Sequence, residues 1–172
     1  MTVSPSTHQS SPHVSPAVLA HGYRLRRATL LDMRALHRLE EAIFPRDAYP
    51  YFDLALLFVM PGVLNQKIVA PDGSLAGFVS ASRALFTPDR GWIITLGVDP
   101  AHQRRGLGAY LLAVAEQRIN RRFMRLTVRE GNQPAIRLYE RAGYEVVERK
   151  INYYRDGEAG LIMEKQVIGG RE

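Results

Sequence analysis

The sequence predicts one α/β domain, a mixed and mostly antiparallel sheet with helices on both faces. Three observations carry this. Short alternating runs recur along the chain, separated by segments with helical spacing. Two of these runs, Gln66–Ala70 and Leu75–Ser82, flank Pro71-Asp72-Gly73-Ser74, whose turn residues make a β-hairpin. A third run, Trp92–Val98, leads through a glycine-bearing loop into an amphipathic stretch, an order that reads as strand, loop, helix. At 172 residues the chain can bury a full core, and 46% hydrophobic with 23% charged residues is the composition of a soluble globular protein.

Residues 1–21 are rich in Ser, Pro and His, lack apolar periodicity, and read as a disordered tail. The tail has neither a charged start nor a continuous apolar core, so it is not a secretory signal. His8, His13 and His21 are irregularly spaced with no acidic residue nearby, which gives no metal site. The domain then spans 22–168, with 169–172 as a C-terminal tail. Tyr23–Ala28 alternates as a first strand. Thr29 caps a helix that carries Asp32 in its first turn, aligns Leu36, Leu39 and Ile43 on one face beside Met33, and ends at Pro45. Glu40 and Glu41 near its end read as solvated charges, with attraction of a cationic amine as the alternative. Pro45–Asp53 is an aromatic, proline-bracketed loop before a second helix, about Phe52 to Met60.

Thr87-Pro88-Asp89-Arg90-Gly91 makes a second turn. After Val98 comes Asp99–Gly108, then a helix from Tyr110 to about Asn120 that places Leu111, Val114 and Ala115, with Leu107, on a sheet. Phe123–Val128 is the next strand. Asn132 caps a further helix with Pro134 in its first turn and Gly143 at its close. Tyr144–Asn152 and Gly160–Val167 form a final strand pair. No run is long enough to span a membrane as a helix.

The loop-to-helix junction at Gln103-Arg104-Arg105-Gly106-Leu107-Gly108-Ala109 is a candidate anion site. A helix's first turn offers unpaired N–H donors and partial positive charge, and Gly106 and Gly108 let backbone amides approach a pyrophosphate closely. The alternative is two glycines that only relieve a tight turn. There is no Gly-x-x-x-x-Gly-Lys-Ser/Thr, which argues against a P-loop enzyme, and Leu111 stands where a dinucleotide fingerprint needs its third glycine.

Val98-x-Pro100-x-x-Gln103-Arg104-Arg105-Gly106-Leu107-Gly108 resembles the acetyl-CoA motif of the GCN5-related N-acetyltransferases, Gln/Arg-x-x-Gly-x-Gly/Ala. Asn132–Tyr144 resembles that family's second signature, Asn-x-x-Ala-x-x-Leu-Tyr-x-x-x-Gly-Phe, in the right order and at the right separation. The resemblance covers roughly Tyr23 to Val167 and implies acetyl-CoA as the acyl donor, with no metal. It places the pyrophosphate at Gln103–Ala109 and the pantetheine arm along Leu96-Gly97-Val98. It makes Asn132 a cofactor contact and Tyr139 the group that protonates the departing thiolate, a task suited to a phenol of pKa near roughly 10. From the residues alone, a tyrosine on an apolar helix face such as Tyr139 is more often a core residue. Gly97 is either a place where strand pairing loosens to free an amide for an oxyanion or a glycine packed under a helix.

Among subfamilies the chain is most similar to RimI-type enzymes, which acetylate the α-amine of a ribosomal protein N-terminus. Val128-Arg129-x-x-Asn132 and Asn152-Tyr153-Tyr154 with Asp156-Gly157-Glu158-Ala159 carry that similarity. It implies a protein or peptide N-terminus as acceptor, bordered by Tyr153 and Tyr154 and by Tyr49 and Tyr51 of the proline-bracketed loop. A small-molecule amine is the runner-up, and a non-catalytic acyl-CoA-binding module the third reading. Where those relatives carry a glutamate as general base, this chain has Thr127, which cannot accept a proton usefully. The base is then a water relay, another carboxylate such as Glu41, or absent. An α-amine, with pKa near roughly 8, tolerates a weak base far better than a lysine near roughly 10.4.

The net charge of +6 fits an anionic ligand and solvated arginines. The densest cluster, Arg118, Arg121, Arg122, Arg125 and Arg129, lacks aromatics interleaved for base stacking, which argues against nucleic acid as partner. Steering toward an acidic partner such as a ribosome surface stays open. The absence of cysteine excludes a disulfide framework, a thiolate metal site and a cysteine nucleophile, and favours a reducing, cytoplasmic compartment.

Overall fold

The computed structural model describes residues 21–83, 87 and 89–167. The tail residues 1–20 with His8 and His13, Pro88 of the second turn, and residues 168–172 lie outside them. His21 sits exposed in the turn before the first strand. Seven strands form one sheet: β1 (Arg24–Arg27), β2 (Val63–Val69), β3 (Leu75–Arg83), β4 (Arg90–Val98), β5 (Phe123–Arg129), β6 (Glu145–Lys150) and β7 (Gly160–Gln166). Their order is β1-β2-β3-β4-β5-β7-β6, and every neighbouring pair is antiparallel except β4–β5. The predicted hairpin joins β2 to β3.

Period-two alternation on β3 divides the core. Phe78 points to one face, where it meets Met33, Leu36 and Leu39 of α1 (Met33–Ile43) and Leu54 and Leu57 of α2 (Tyr51–Val59). Val79 points to the other, where α3 (Leu107–Ile119) supplies Leu107, Leu111, Val114 and Ala115, and α4 (Gln133–Arg141) supplies Ile136 and Tyr139. Helices therefore cover both faces, as predicted. Among the described residues no helix is long and apolar enough to cross a membrane.

Three boundaries differ from expectation for local reasons. Thr29 and Asp32 close a capping box, Thr29 N–H donating to Asp32 Oδ2 at 2.8 Å, but they frame a 3-10 turn at Leu30–Asp32 and α1 proper starts after it. Helix α3 starts at Leu107 rather than Tyr110, because Gly106, at φ 78°, already makes its N-cap. Gly108 thus lies inside the first helical turn, where a Cβ would sit 3.3 Å from Leu138 of α4. Strand β4 begins at Arg90, two residues before Trp92.

The feature that shapes the site lies in β4. Ser80 pairs with Thr95 and Ala81 with Ile93, so Ile94 is an extra residue, a β-bulge. Alternation resets there. Ile93, Leu96 and Val98 pack on the α3 face, whereas Ile94, Thr95 and Gly97 all turn toward α1. A bulged strand also bends, and β4 leaves β5 at this place. The parallel pairing consists of Arg90↔Phe123, Gly91↔Met124 and Trp92↔Arg125, after which both strands run on with a gap between them.

Candidate active site

Two cavities reach this gap from opposite ends. The first, about 760 Å³, is floored by Leu96, Gly97 and Val98 of β4 and walled by α4 through Asn132, Leu138 and Tyr139. The junction closes its far end with Gln103, Arg104, Gly106, Leu107, Gly108 and Ala109. Arg104, at φ 58°, and Gly106 both adopt left-handed backbone ahead of the α3 N-terminus, a concave arrangement suited to an anion. Gln103 Nε2 donates to the Val98 carbonyl at 3.1 Å and ties this loop back to β4. Arg105 is not on the cavity wall and is exposed. Two cations that the sequence reading missed, Arg137 and Arg141, stand one helical turn apart on α4 at the same cavity. Their spacing of four was the available signal.

Gly97 lies past the last β4–β5 pair, so its edge toward β5 is unpaired, while its other edge stays in the sheet. It stays paired with Phe78, and a Cβ there would lie 2.7 Å from Ile43 Cδ1, so close packing under α1 explains the glycine. The irregularity itself falls at Ile94. Asn132 caps α4, its Oδ1 accepting from Ala135 N–H at 3.2 Å, and lines both cavities.

The second cavity, about 560 Å³, shares Phe44, Leu96, Asn132, Ala135 and Tyr139 with the first. Its other walls come from Glu40, Tyr49, Trp92, Thr95, Thr127, Tyr153 and Tyr154. Tyr139 therefore stands where the cavities meet, and burial pushes its phenol up to about 12. Tyr51, expected beside Tyr49, opens α2 instead. It lies edge-on to His37 at 5.4 Å, off the cavity wall, because the loop ends at Pro50 and turns it outward. Tyr153 packs flat over Gly160, where a Cβ would lie 2.8 Å from the ring, and it stays 47% exposed at the cavity mouth.

Arg129 ties the two flanks of this cavity together. It donates to Asp47 of the α1–α2 connection and to Asp156 and Glu158 of the β6–β7 connection, and its guanidinium lies 4.0 Å from the centre of the Tyr154 ring. Asp47 is thereby occupied, as are Asp156 and Glu158.

The expectation of solvated charges at Glu40 and Glu41 holds for only one of them. Glu41 is exposed and lies 3.5 Å from His37. Glu40 is fully buried: it occupies the stripe Met33, Leu36, Glu40, Ile43, so helical geometry drives it into the sheet. Its Oε1 accepts from Thr95 Oγ1 at 2.9 Å, the threonine that the bulge turns toward α1, while Oε2 has no partner. Burial pushes its carboxyl up to about 7, against the lowering effect of the Thr95 hydrogen bond. Thr127 Oγ1 is likewise without a partner on the same cavity. A carboxylate inside an apolar stripe was the sequence signal for Glu40, and it was overlooked. Among the described residues no group of His, Cys, Asp and Glu could hold a metal ion.

Comparison with known proteins places this geometry. The chain is 27% identical to an N-alpha-acetyltransferase of Sulfurisphaera tokodaii over 158 residues, spanning 82% of this chain and 91% of that protein. It is 30% identical to the N-terminal acetyltransferase A complex catalytic subunit NAA10 of Arabidopsis thaliana, over 84% of this chain and 78% of that one. The crystal structure of the ribosomal-protein-S18-alanine N-acetyltransferase from Escherichia coli superposes with a TM-score of 0.76 at 26% identity, covering 87% of this chain and 97% of that one. Residues 31–144 match the model of the acetyltransferase (GNAT) family. With the split sheet, the junction and the two meeting cavities, this match shows that the chain belongs to the GNAT family of acetyltransferases.

Proposed function

We propose that the protein transfers the acetyl group of acetyl-CoA to the α-amine of a protein or peptide N-terminus. The observation that carries this reading is the meeting of two cavities at Tyr139 through the gap between β4 and β5. One suits a long anionic thioester and the other an amine arriving from the opposite side. Gln103, Arg104, Gly106, Leu107, Gly108 and Ala109, with Arg137 and Arg141, would hold the phosphates. Leu96, Gly97, Val98 and Asn132 would line the pantetheine arm. The thioester supplies an acyl carbon with a good leaving group.

At the reacting centre the amine nitrogen forms the C–N bond and the C–S pair leaves with sulfur. Tyr139 donates its phenolic proton to that sulfur. With its pKa at about 12 it is fully protonated at neutral pH and ready to do so. Tyr49, Tyr153 and Tyr154 flank the amine's approach. The half-exposed Tyr153 leaves the acceptor side open to solvent, so a chain continuing from the reacting amine has a way out. This favours a peptide over a small enclosed amine. The relatives named for N-terminal acetylation support the same acceptor class. A cysteine-free chain suits the cytoplasm as its site of action.

Thiol release from acetyl-CoA with a panel of free-N-terminal peptides, against a panel of small amines, tests the reading. Turnover is expected with peptides. Turnover of small amines alone overturns the peptide acceptor.

A further inference from the structure

We infer that Glu40 is the proton acceptor for the incoming amine, reached from α1 rather than from the strand that faces it. The inference rests on the N-acetyltransferase reading above and names the residue that completes it. Two acidic side chains line the acceptor cavity, Glu40 and Asp47. Asp47 is bonded through both oxygens to Arg129, a forked ion pair that already answers its charge. Glu40 spends one oxygen on Thr95 and leaves Oε2 bare, although the residue is completely buried. A buried carboxylate with one bare oxygen calls for a donor that arrives with a ligand. An amine or ammonium is that donor. Thr127 Oγ1, the other bare oxygen on this wall, accepts an N–H bond and so orients the nitrogen, but it cannot take a proton at neutral pH.

The surroundings keep Glu40 available. The groups facing the cavity with it are the phenols Tyr49, Tyr139, Tyr153 and Tyr154, together with Asp47 and Arg129. The Arg129 charge is answered by Asp47, Asp156 and Glu158, and none of the ion pairs among the described residues includes Glu40. The carboxyl therefore titrates near neutrality, where a base serves best. The protons balance. An ammonium first gives one proton to Glu40, which releases it to solvent; the neutral amine then sheds its second proton to the same carboxylate as the C–N bond forms, and sulfur gains one from Tyr139 as the C–S bond breaks. Solvent then carries a proton from Glu40 back to the Tyr139 phenolate.

The test is the pH profile of kcat/KM for Glu40→Gln, measured with whichever amine the parent accepts. A wrong acceptor class then overturns the earlier reading and leaves this test intact. Glutamine keeps the acceptor for Thr95 and removes only the ionisable oxygen. A loss of about a hundredfold is expected at pH 7, shrinking by pH 9.5 as the amine loses its own proton, with coenzyme A affinity unchanged. Adding Thr127→Glu, which returns a carboxylate to the same cavity from β5, should recover about tenfold or more. The exposed Glu41→Gln should stay within about twofold of the parent. Activity of Glu40→Gln matching the parent at every pH, or a loss that does not vary with pH, overturns the inference.

Discussion

The donor-side cavity takes most of its walls from two short stretches of chain, 96–109 and 132–142. The acceptor-side cavity gathers α1, the bulged strand β4, strand β5 and the β6–β7 connection, with residues from Glu40 to Tyr154. The first is shaped largely by backbone: left-handed loop residues, a helix N-terminus and a glycine that lets α4 approach α3. The second works through side chains, many of them buried and some unpaired. A site built from local backbone is fixed by spacing and tolerates change elsewhere. A site built from distant side chains can exchange one residue for another on a facing element, and Glu40 and Thr127 stand on facing elements.

Breaking the junction between the cavities has the largest expected effect. Tyr139→Phe should lower kcat by about a hundredfold to a thousandfold, the usual worth of a positioned acid, with coenzyme A affinity nearly unchanged by calorimetry. A large loss of affinity would instead make Tyr139 part of the core.

The acceptor side should also show itself in stability. Folding raises the Glu40 carboxyl from 4.5 to about 7, so the folded state favours the protonated form. That favourable contribution is complete below pH 4.5 and is lost as pH rises through 7. The loss is about 3 kcal/mol. The stability of Glu40→Gln relative to the parent should therefore rise by about that amount between pH 4 and pH 8, read by urea titration. A constant difference across this range contradicts the burial argument.

On the donor side, Gly106→Val puts a β-branched residue at φ 78° and disturbs the cradle, so coenzyme A binding should weaken by about tenfold or more. The flank-to-flank tie should give a smaller, one-sided effect. Arg129→Lys loses the forked pairing to Asp47 and should raise the peptide KM about threefold to tenfold while sparing coenzyme A affinity. Asn132→Ala removes a cap on α4 and should cost about 1 kcal/mol in stability, felt by both cavities because Asn132 lines both.

The same division separates what could be read in the sequence from what could not. The helices, the β2–β3 hairpin and the strand–loop–helix junction were legible because each depends on neighbours a few residues away. Asn132 announces its cap within one turn of chain, whereas the start of α3 was expected at Tyr110 and the left-handed Gly106 moves it to Leu107. The Ile94 bulge was not legible, since an extra residue in β4 exists only relative to β3, and with it went the turning of Thr95 toward α1. The choice between the two readings of Gly97 was not legible for the same reason: Ile43, which fills the space above it, lies 54 positions away in sequence. Tyr51 shared its composition with Tyr49, but only the start of α2 decides which ring faces the cavity. Glu40 was within reach, as a charge where the helical period demands an apolar residue, and so were Arg137 and Arg141, by their spacing of four.

The split between β4 and β5 has a consequence for how the molecule exchanges amide hydrogens. Past Trp92 and Arg125 the facing edges of these two strands lack each other's protection, although both sit at the centre of the sheet. The free enzyme should carry a stripe of fast-exchanging amides in the middle of an otherwise slow sheet. Filling the gap with coenzyme A should slow that stripe selectively, which turns the central weakness of the sheet into an internal gauge of occupancy.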